Sequence, residues 1–238
     1  MTTRIIAVRP LVAGASALMM IALLGTAPCY AQGAVKLSEL INNGGLIIHG
    51  DKQFDRFSYS FTGEMPAPEL VNVVPIMDLD ENLGIQFQGS FTDLFSSQGG
   101  SDALIRYRVT VLDPARRITD AHLFGNPELL GDTGSISVTE TFAFDVTGEY
   151  QMSIFEDETA GSRNAASTVF EPRSILQVTK DISAIAGPTG TVTLSFIDQT
   201  FSQIDIPIPE ASGVSLMLIG LGCLAGMRFV RRHRRGQV

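Results

Sequence analysis

The sequence predicts an all-β protein, an antiparallel β-sandwich of jelly-roll or immunoglobulin-like type, followed by a single C-terminal transmembrane helix. Short segments in which polar and apolar residues alternate recur through the middle of the chain, and turn-forming residues separate them. An uncharged apolar stretch lies near the C-terminus. Alternation with period two is typical of strands that bury one face, and a long apolar run is typical of a membrane helix. We therefore expect a β domain attached to a membrane segment.

The strand predictions rest on period-two alternation, which occurs at residues 57–61, 85–87, 105–111, 142–146, 176–179 and 192–196. Residues rich in Gly, Pro, Ser and Thr separate these segments at 62–66, 97–101, 131–134 and 187–190. One helix is expected, over residues 35–42, because Leu37, Leu40 and Ile41 share one side and Gly44 follows its end. Many short strands with little helix favour a sandwich.

The N-terminus has the pattern of a secretory signal peptide. Arg4 and Arg9 precede an apolar stretch over residues 11–24, and Cys29 and Ala31 are small residues at the positions that a signal peptidase inspects. Cleavage is expected between Ala31 and Gln32, which makes residues 1–31 the signal peptide. Two alternatives are lipid attachment at Cys29 and retention of the apolar stretch as a second, short membrane helix.

Residues 206–238 form a C-terminal segment in which a transmembrane helix is predicted over residues 211–230. Pro209, Glu210 and Ala211 lie at the start of this helix. A basic cluster follows the apolar run and consists of Arg228, Arg231, Arg232, Arg234 and Arg235. Because cytoplasmic flanks retain Lys and Arg, the arginines are expected in the cytoplasm and the preceding domain on the other side.

A Pro-Glu pair, a glycine-rich apolar helix and a terminal arginine cluster, in this order, resemble the PEP-CTERM sorting tail, which exosortases recognise in Gram-negative bacteria that make exopolysaccharide. Ala211 stands where the family usually has proline. The resemblance implies that an exosortase-like membrane protease recognises Pro209, Glu210 and the arginines. Residues 50–59, 88–93 and 195–203 also look like the exported domain of a group of PEP-CTERM proteins, which implies a shared β-rich fold. An ordinary single-pass anchor is the alternative.

Residues 32–205 are the predicted exported domain, and their composition limits the partners. Residues 32–209 contain ten Lys or Arg and 24 Asp or Glu. Phosphate binding needs clustered cations, so nucleic acid is excluded as a partner. Both cysteines, Cys29 and Cys223, lie in the hydrophobic end segments, so the exported domain has no disulfide and no thiol chemistry.

One acidic segment is a candidate metal site. Asp78, Asp80 and Asn82, followed by Gly84, resemble the first half of a calcium loop, in which side-chain oxygens converge on a hard cation. The closing glutamate of such a loop is missing, because Gly89 occupies the twelfth position. An acidic turn between two strands is the alternative. No cofactor is predicted, and calcium bound at this segment is the alternative.

The predicted function is that of an exported cell-surface or extracellular-matrix protein, structural or adhesive and associated with exopolysaccharide. It would be anchored in the inner membrane by its C-terminal helix before processing, and would then reach the cell surface or matrix. His49 and His122 match no catalytic or zinc-binding spacing, and the protein is predicted not to be an enzyme. A membrane-anchored carbohydrate-binding module and a surface hydrolase are the alternatives.

Overall fold

The structure is a computed structural model that describes residues 29–30, 33–95, 99–143 and 149–207, with only the backbone of residues 29–30. The signal cleavage site at Ala31 and Gln32 lies outside these residues. So do the sorting motif at Pro209, Glu210 and Ala211, the transmembrane helix and the arginine cluster. Within the described ranges, no helix is long and apolar enough to cross a membrane.

The described chain is built almost entirely from strands, with one helix, α1 (Leu37–Asn42), and a single 3-10 turn at Pro68–Leu70. In chain order the strands are β1 (Cys29–Tyr30), β2 (Val35–Lys36), β3 (Leu46–His49), β4 (Lys52–Phe61), β5 (Asn72–Met77), β6 (Leu83–Asp93), β7 (Ser101–Val111), β8 (Arg116–Gly125), β9 (Glu128–Leu130), β10 (Gly134–Ala143), β11 (Glu149–Asp157), β12 (Gly161–Arg163), β13 (Ala165–Arg173), β14 (Ile175–Ala186), β15 (Thr191–Phe201) and β16 (Gln203–Asp205).

Two sheets pack face to face. Sheet 1 has the order β1-β3-β4-β7-β14-β10-β11-β12, and sheet 2 has the order β13-β8-β15-β6-β5-β2, with β16 paired to β8 and β9 paired to β15. Every strand pair in the described part of the chain is antiparallel except β1 with β3. Strands β10 and β14 of sheet 1 contact β15 of sheet 2 across the interior. The predicted antiparallel, two-sheet β architecture is therefore confirmed.

The central strands bury one face because inward and outward residues alternate strictly along them. In β7 every second residue from Ser101 to Val111 is buried, and β14 buries Leu176, Val178, Ile182 and Ala184 in the same way. Side chains of successive strand residues point to opposite faces, so one face of each strand lines the core. The core also contains the packed rings of Phe54, Phe87, Phe91, Tyr107, Phe142 and Phe201.

Two local predictions are corrected. The helix begins at Leu37 rather than at residue 35, because Val35 pairs with Val73 as part of β2. Ser101 was predicted to lie in a turn and instead begins β7, where its hydroxyl donates to Asp93 Oδ1 over 2.6 Å in the interior. Pairing of Ser101 with Ala184 extends the ladder to this residue. Of the strand predicted over 142–146, residues 142 and 143 belong to the end of β10, and residues 144–146 lie outside the described residues.

The core also contains polar side chains. Glu140, Lys180 and Gln199 are each fully buried, at 0 % exposure. Burial of a charged group is costly unless the group is paired and hydrogen-bonded, so these three residues form a distinct feature of the interior.

Candidate functional site

The outer face of sheet 2 carries a broad cleft, and an irregularity in β15 decides which residues reach it. The register between β15 and β6 shifts between Leu194 and Phe196. Leu194 and Ile197 therefore both face the core, whereas Asp198 and Thr200 line the outer cleft. A β-bulge of this kind re-aims the side chains that follow it.

The cleft has a volume of about 830 Å³ and is open to solvent. Its floor is formed by β8 and β15, and the turn after β5 and the start of β13 line its sides. The lining residues are Ile76, Met77, Asp78, Leu79, Asp80, His122, Leu123, Phe124, Arg163, Ala165, Ala166, Ser167, Asp198 and Thr200. Clefts of roughly 300 to 1,000 Å³ with mixed apolar and polar walls are typical of small-ligand sites.

A row of hydrogen-bonded polar groups crosses neighbouring strands on this face. Gln86 Nε2 donates to Asp198 Oδ1 over 2.6 Å, and Gln88 Nε2 donates to Gln86 Oε1. Partial burial raises the pKa of Asp198, against the hydrogen bond from Gln86 and the charge of Lys180. The row places a carboxylate and two amides side by side, which is a set of donors and acceptors suited to hydroxyl groups.

An aromatic surface adjoins the polar row. Phe124 of β8 is 46 % exposed and packs against Phe196 of β15, with ring centroids 5.8 Å apart. Met77 and Leu79 at the opposite wall are also exposed. An exposed ring beside hydrogen-bonding groups gives the cleft a surface on which a flat, partly apolar ligand can stack.

His122 faces the same cleft but is already bonded within the protein. Its Nε2 lies 3.0 Å from Ser202 Oγ and 3.0 Å from Asp120 Oδ1. The other histidine of the domain, His49, has Nδ1 3.3 Å from the carbonyl of Gly84. The two histidines therefore lie in separate bonded settings, and the structure does not bring them together.

The predicted metal-binding segment forms a closed turn between β5 and β6. Asp78 Oδ1 accepts from the backbone amides of Asp80 and Asn82, at 3.0 and 2.9 Å, and Oδ2 accepts from Asn82 Nδ2 and from Thr200 Oγ1, at 3.0 and 2.6 Å. Although partial burial works to raise it, these hydrogen bonds together lower the pKa of Asp78. The turn is held by the same oxygens that a cation would need.

Asp80 lies exposed at the tip of this turn, and Glu81 beside it has a positive φ of 64°. Within the described residues no group of three or more His, Cys, Asp or Glu side chains is placed to hold a metal ion. The turn brings Asp78, Asp80 and Asn82 together, and Asp78 caps its own loop. A metal site at these residues stays a prediction.

Sequence reasoning did not identify the cleft residues Asp198 and Phe124. Both lie at outward positions of strands, where polar and aromatic residues are ordinary. The signal was spatial, because pairing of Asp198 with Phe124 across β15 and β8 places them side by side. That register could not be derived without knowing the bulge in β15.

Comparisons with known proteins yield no family assignment. No protein-family model matches the chain, and no curated protein matches it. Among solved structures, the chain is similar to the carbohydrate-binding module TmCBM61 in complex with beta-1,4-galactotriose, with 9 % identity over 62 % of this chain and 89 % of that one, at a TM-score of 0.32. A second is the enzymatically active domain of bacteriophage CBA120 tailspike protein 4, with 12 % identity over 61 % of this chain and 19 % of that one, at a TM-score of 0.25. At these scores neither similarity supports a functional argument.

Proposed function

We propose that this protein is an exported, non-enzymatic adhesive protein of the cell surface or extracellular matrix, and that the outer face of sheet 2 binds extracellular polysaccharide. The observation that carries the proposal is the cleft on that face, which is lined by Asp198 and by the exposed ring of Phe124. Asp198 is hydrogen-bonded to Gln86 of the neighbouring strand, which in turn accepts from Gln88. Sugars offer both hydroxyl groups and apolar ring faces. The cleft presents a matching partner for each.

Charge supports an extracellular glycan over other polymers. The predicted exported region has ten cationic and 24 anionic side chains, which opposes binding to nucleic acid and to other polyanions. The cleft itself contains one arginine, Arg163, and the carboxylates of Asp78, Asp80 and Asp198. A neutral or weakly charged polysaccharide is the ligand class that fits this balance.

Two further parts of the proposal concern targeting. The signal peptide exports the chain, and the PEP-CTERM-like tail delivers it to an exosortase-like membrane protease that recognises Pro209, Glu210 and the terminal arginines. The C-terminal helix holds the protein in the inner membrane until processing, after which it reaches the cell surface or matrix. The order of the motif elements in the sequence supports this part.

A hydrolase is disfavoured by the state of the carboxylates. Glycoside hydrolysis needs two carboxyl groups that flank the scissile bond. In the cleft, both oxygens of Asp78 are occupied by the turn, and Asp80 lies exposed at its tip. Partial burial raises the pKa of Asp198 overall, whereas the hydrogen bonds of the turn lower the pKa of Asp78 in spite of its partial burial. Binding without catalysis is the function that such a cleft supports best.

Binding is tested with a glycan array that includes bacterial exopolysaccharides, followed by calorimetry on the purified protein. Asp198→Asn should weaken binding about tenfold or more, because a hydrogen bond to a charged group contributes about 1.5 to 3 kcal/mol. Asp181→Asn is the matched control, since Asp181 is an exposed aspartate on sheet 1. No saturable binding to any glycan, or equal losses in both variants, would refute the proposal. Release of shortened sugars by the wild-type protein would support the hydrolase.

Targeting is tested by the mass of the protein purified from cells with and without an exosortase. We expect an N-terminus at Gln32 in both strains and a shortened C-terminus only where the exosortase is present. An intact C-terminus in both strains would leave the ordinary single-pass anchor as the explanation of the tail. This outcome bears on targeting alone and is independent of glycan binding.

A further inference from the structure

Three polar side chains meet in the interior between the two sheets. Lys180 of β14 and Glu140 of β10 are direct cross-strand partners in sheet 1, and Gln199 lies on β15 of sheet 2. Lys180 Nζ is 2.6 Å from Glu140 Oε2 and 2.6 Å from Gln199 Oε1. The amine therefore lies between a carboxyl group on its own sheet and a carboxamide on the opposite sheet.

These three side chains are not accessible to solvent. All three side chains are at 0 % exposure within an aromatic core that includes Tyr107 and Phe201. Glu140 Oε1 has no hydrogen-bond partner among the described residues. A carboxylate in this position would leave charge on an unsolvated oxygen, whereas a carboxylic acid would not.

Burial favours the uncharged form of both ionisable partners. Desolvation raises the pKa of Glu140 to about 7, even with Lys180 beside it, and desolvation lowers the pKa of Lys180. Each shift favours the uncharged form of its group. The pair can therefore exchange a proton to give a neutral carboxylic acid and a neutral amine, and the neutral amine is the nucleophilic form of lysine.

We propose that Lys180 and Gln199 become joined by an intramolecular isopeptide bond, with Glu140 as the proton-transferring catalytic residue, so that the two sheets are linked covalently through the core.

The reaction balances without any external reagent. The lone pair of the neutral Nζ forms a bond to the side-chain carbonyl carbon of Gln199, and the carbonyl electrons move to Oε1. The bond from that carbon to Nε2 then breaks, and its electron pair leaves with the nitrogen. Glu140 donates a proton to the departing nitrogen and receives one from Nζ. One ammonia molecule is released, a secondary amide remains, and Glu140 is again a neutral acid.

The fold holds the two reacting atoms, Lys180 Nζ and the side-chain carbonyl carbon of Gln199, close together. Because a C=O bond is about 1.2 Å long, the carbonyl carbon of Gln199 lies within about 3.8 Å of Nζ. Reacting atoms fixed roughly 3 to 3.5 Å apart on rigid elements gain a large effective concentration. Gln199 Nε2 donates to the carbonyl of Thr200 over 3.4 Å, which orients the leaving nitrogen away from the amine.

A covalent link between the sheets would stabilise a domain that has no disulfide bonds. No cysteine lies between the two hydrophobic end segments of the chain, so disulfides cannot stabilise the exported part. An exported protein gains durability from cross-links that survive outside the cell. An amide between β14 and β15 would provide one that needs no oxidant.

Mass spectrometry of the purified full-chain protein tests the proposal. Cleavage before aspartate separates residues 157–180 from residues 198–204, because Asp157, Asp181, Asp198 and Asp205 follow in this order. We expect these two peptides to be recovered as one joined species, lighter by one ammonia than their sum. Lys52 is the internal control, since it is also buried but hydrogen-bonds Asp51 and, among the described residues, no carboxamide. Recovery of both peptides unjoined at full mass would overturn the proposal.

Two variants assign the roles. Gln199→Met keeps the length of the side chain and leaves the Lys180–Glu140 pair in place, and it should give a folded protein with no mass loss. Glu140→Gln should leave Lys180 and Gln199 unlinked, or slow their linkage by about 100-fold or more, the usual contribution of a positioned acid-base group. Linkage at an undiminished rate in Glu140→Gln would contradict the catalytic role, and the wild-type peptides decide the bond itself even if a variant fails to fold.

Discussion

Asp198 and Gln199 are consecutive residues of β15, yet they belong to opposite faces of sheet 2. Asp198 lies in an open cleft and accepts a hydrogen bond from Gln86, whereas Gln199 lies in the dry core and contacts Lys180. A polar group in the cleft can exchange its partner for water or a ligand. A polar group in the core cannot, so its contacts are fixed in the folded state. The outer face is therefore suited to binding and the inner face to permanent linkage.

The largest effect should come from replacing Lys180. Lys180→Met removes the proposed cross-link, which contributes about 3 kcal/mol for a loop closed between Lys180 and Gln199. It also leaves the buried Glu140 without its hydrogen-bond partner, which costs about 1 to 3 kcal/mol more. Lys52→Met is the control, because the Lys52–Asp51 pair is longer, at 3.5 Å, and Asp51 is partly exposed. Urea unfolding monitored by far-ultraviolet circular dichroism measures both. Equal losses would show that the core cluster has no special role.

Gln199→Met sharpens the comparison because it prevents the proposed bond and leaves the contact between Lys180 and Glu140 in place. Lys180 and Gln199 are 19 positions apart, and a cross-link that closes a loop of this size contributes about 3 kcal/mol. The melting temperature should fall by roughly 6 to 12 °C for a domain of this length. Val169→Met, at a 73 % exposed position of the same sheet, should shift it by only about 2 °C or less. Calorimetry that gives the same melting temperature for both variants would contradict the assignment.

The turn at Asp78 should contribute less. Asp78→Ala removes four hydrogen bonds and is expected to destabilise the protein by about 1 to 2 kcal/mol, because turn and cap bonds have individually modest net effects. Since the folded-state pKa of Asp78 is lowered, its contribution is present above the unfolded value and is lost as the pH falls through the folded value. Unfolding measured at pH 7 and near pH 3 should differ less in Asp78→Asn than in the wild type. An unchanged pH dependence would contradict this account.

The smallest effect is expected from calcium. The oxygens of Asp78 are already occupied, so millimolar calcium should raise the melting temperature no more than sodium does at equal ionic strength. Differential scanning calorimetry with the two salts measures this directly. A calcium-specific increase that disappears in Asp80→Asn would show that Asp78, Asp80 and Asn82 bind the ion after all.

The β architecture was predictable because polar and apolar residues alternate along the strands in the middle of each sheet. Burial alternates over the whole length of strand β7, and the sequence alone places Ala103, Ile105, Tyr107, Val109 and Val111 on one face. Strand β13 was not predicted, since its burial pattern is irregular, Pro172 interrupts it, and its register with β8 shifts after Val169. Edge strands tolerate such irregularity because fewer of their backbone groups need partners.

The buried Lys180–Glu140 pair could be recognised from the sequence, whereas the cleft on the outer face of sheet 2 could not. Lys180 and Glu140 occupy the apolar phase of β14 and β10, between Val178 and Ile182 and between Val138 and Phe142. A charged residue in the apolar phase of a strand is a signal of a buried pair, and this signal is visible without coordinates. The cleft has no such signal, because it depends on the bulge before Phe196 and on contact between residues distant in the chain.

The central claim, that the outer face of sheet 2 binds polysaccharide, is tested most directly by removing its exposed ring. Phe124→Ala and Phe61→Ala form a matched pair, since these rings are 46 % and 43 % exposed, on sheet 2 and sheet 1 respectively. Calorimetric titration with a glycan that binds the wild type should show about tenfold weaker binding for Phe124→Ala, as loss of a stacking contact costs up to about 1.5 kcal/mol, and unchanged binding for Phe61→Ala. Unchanged binding in Phe124→Ala, or an equal loss in Phe61→Ala, would contradict the claim.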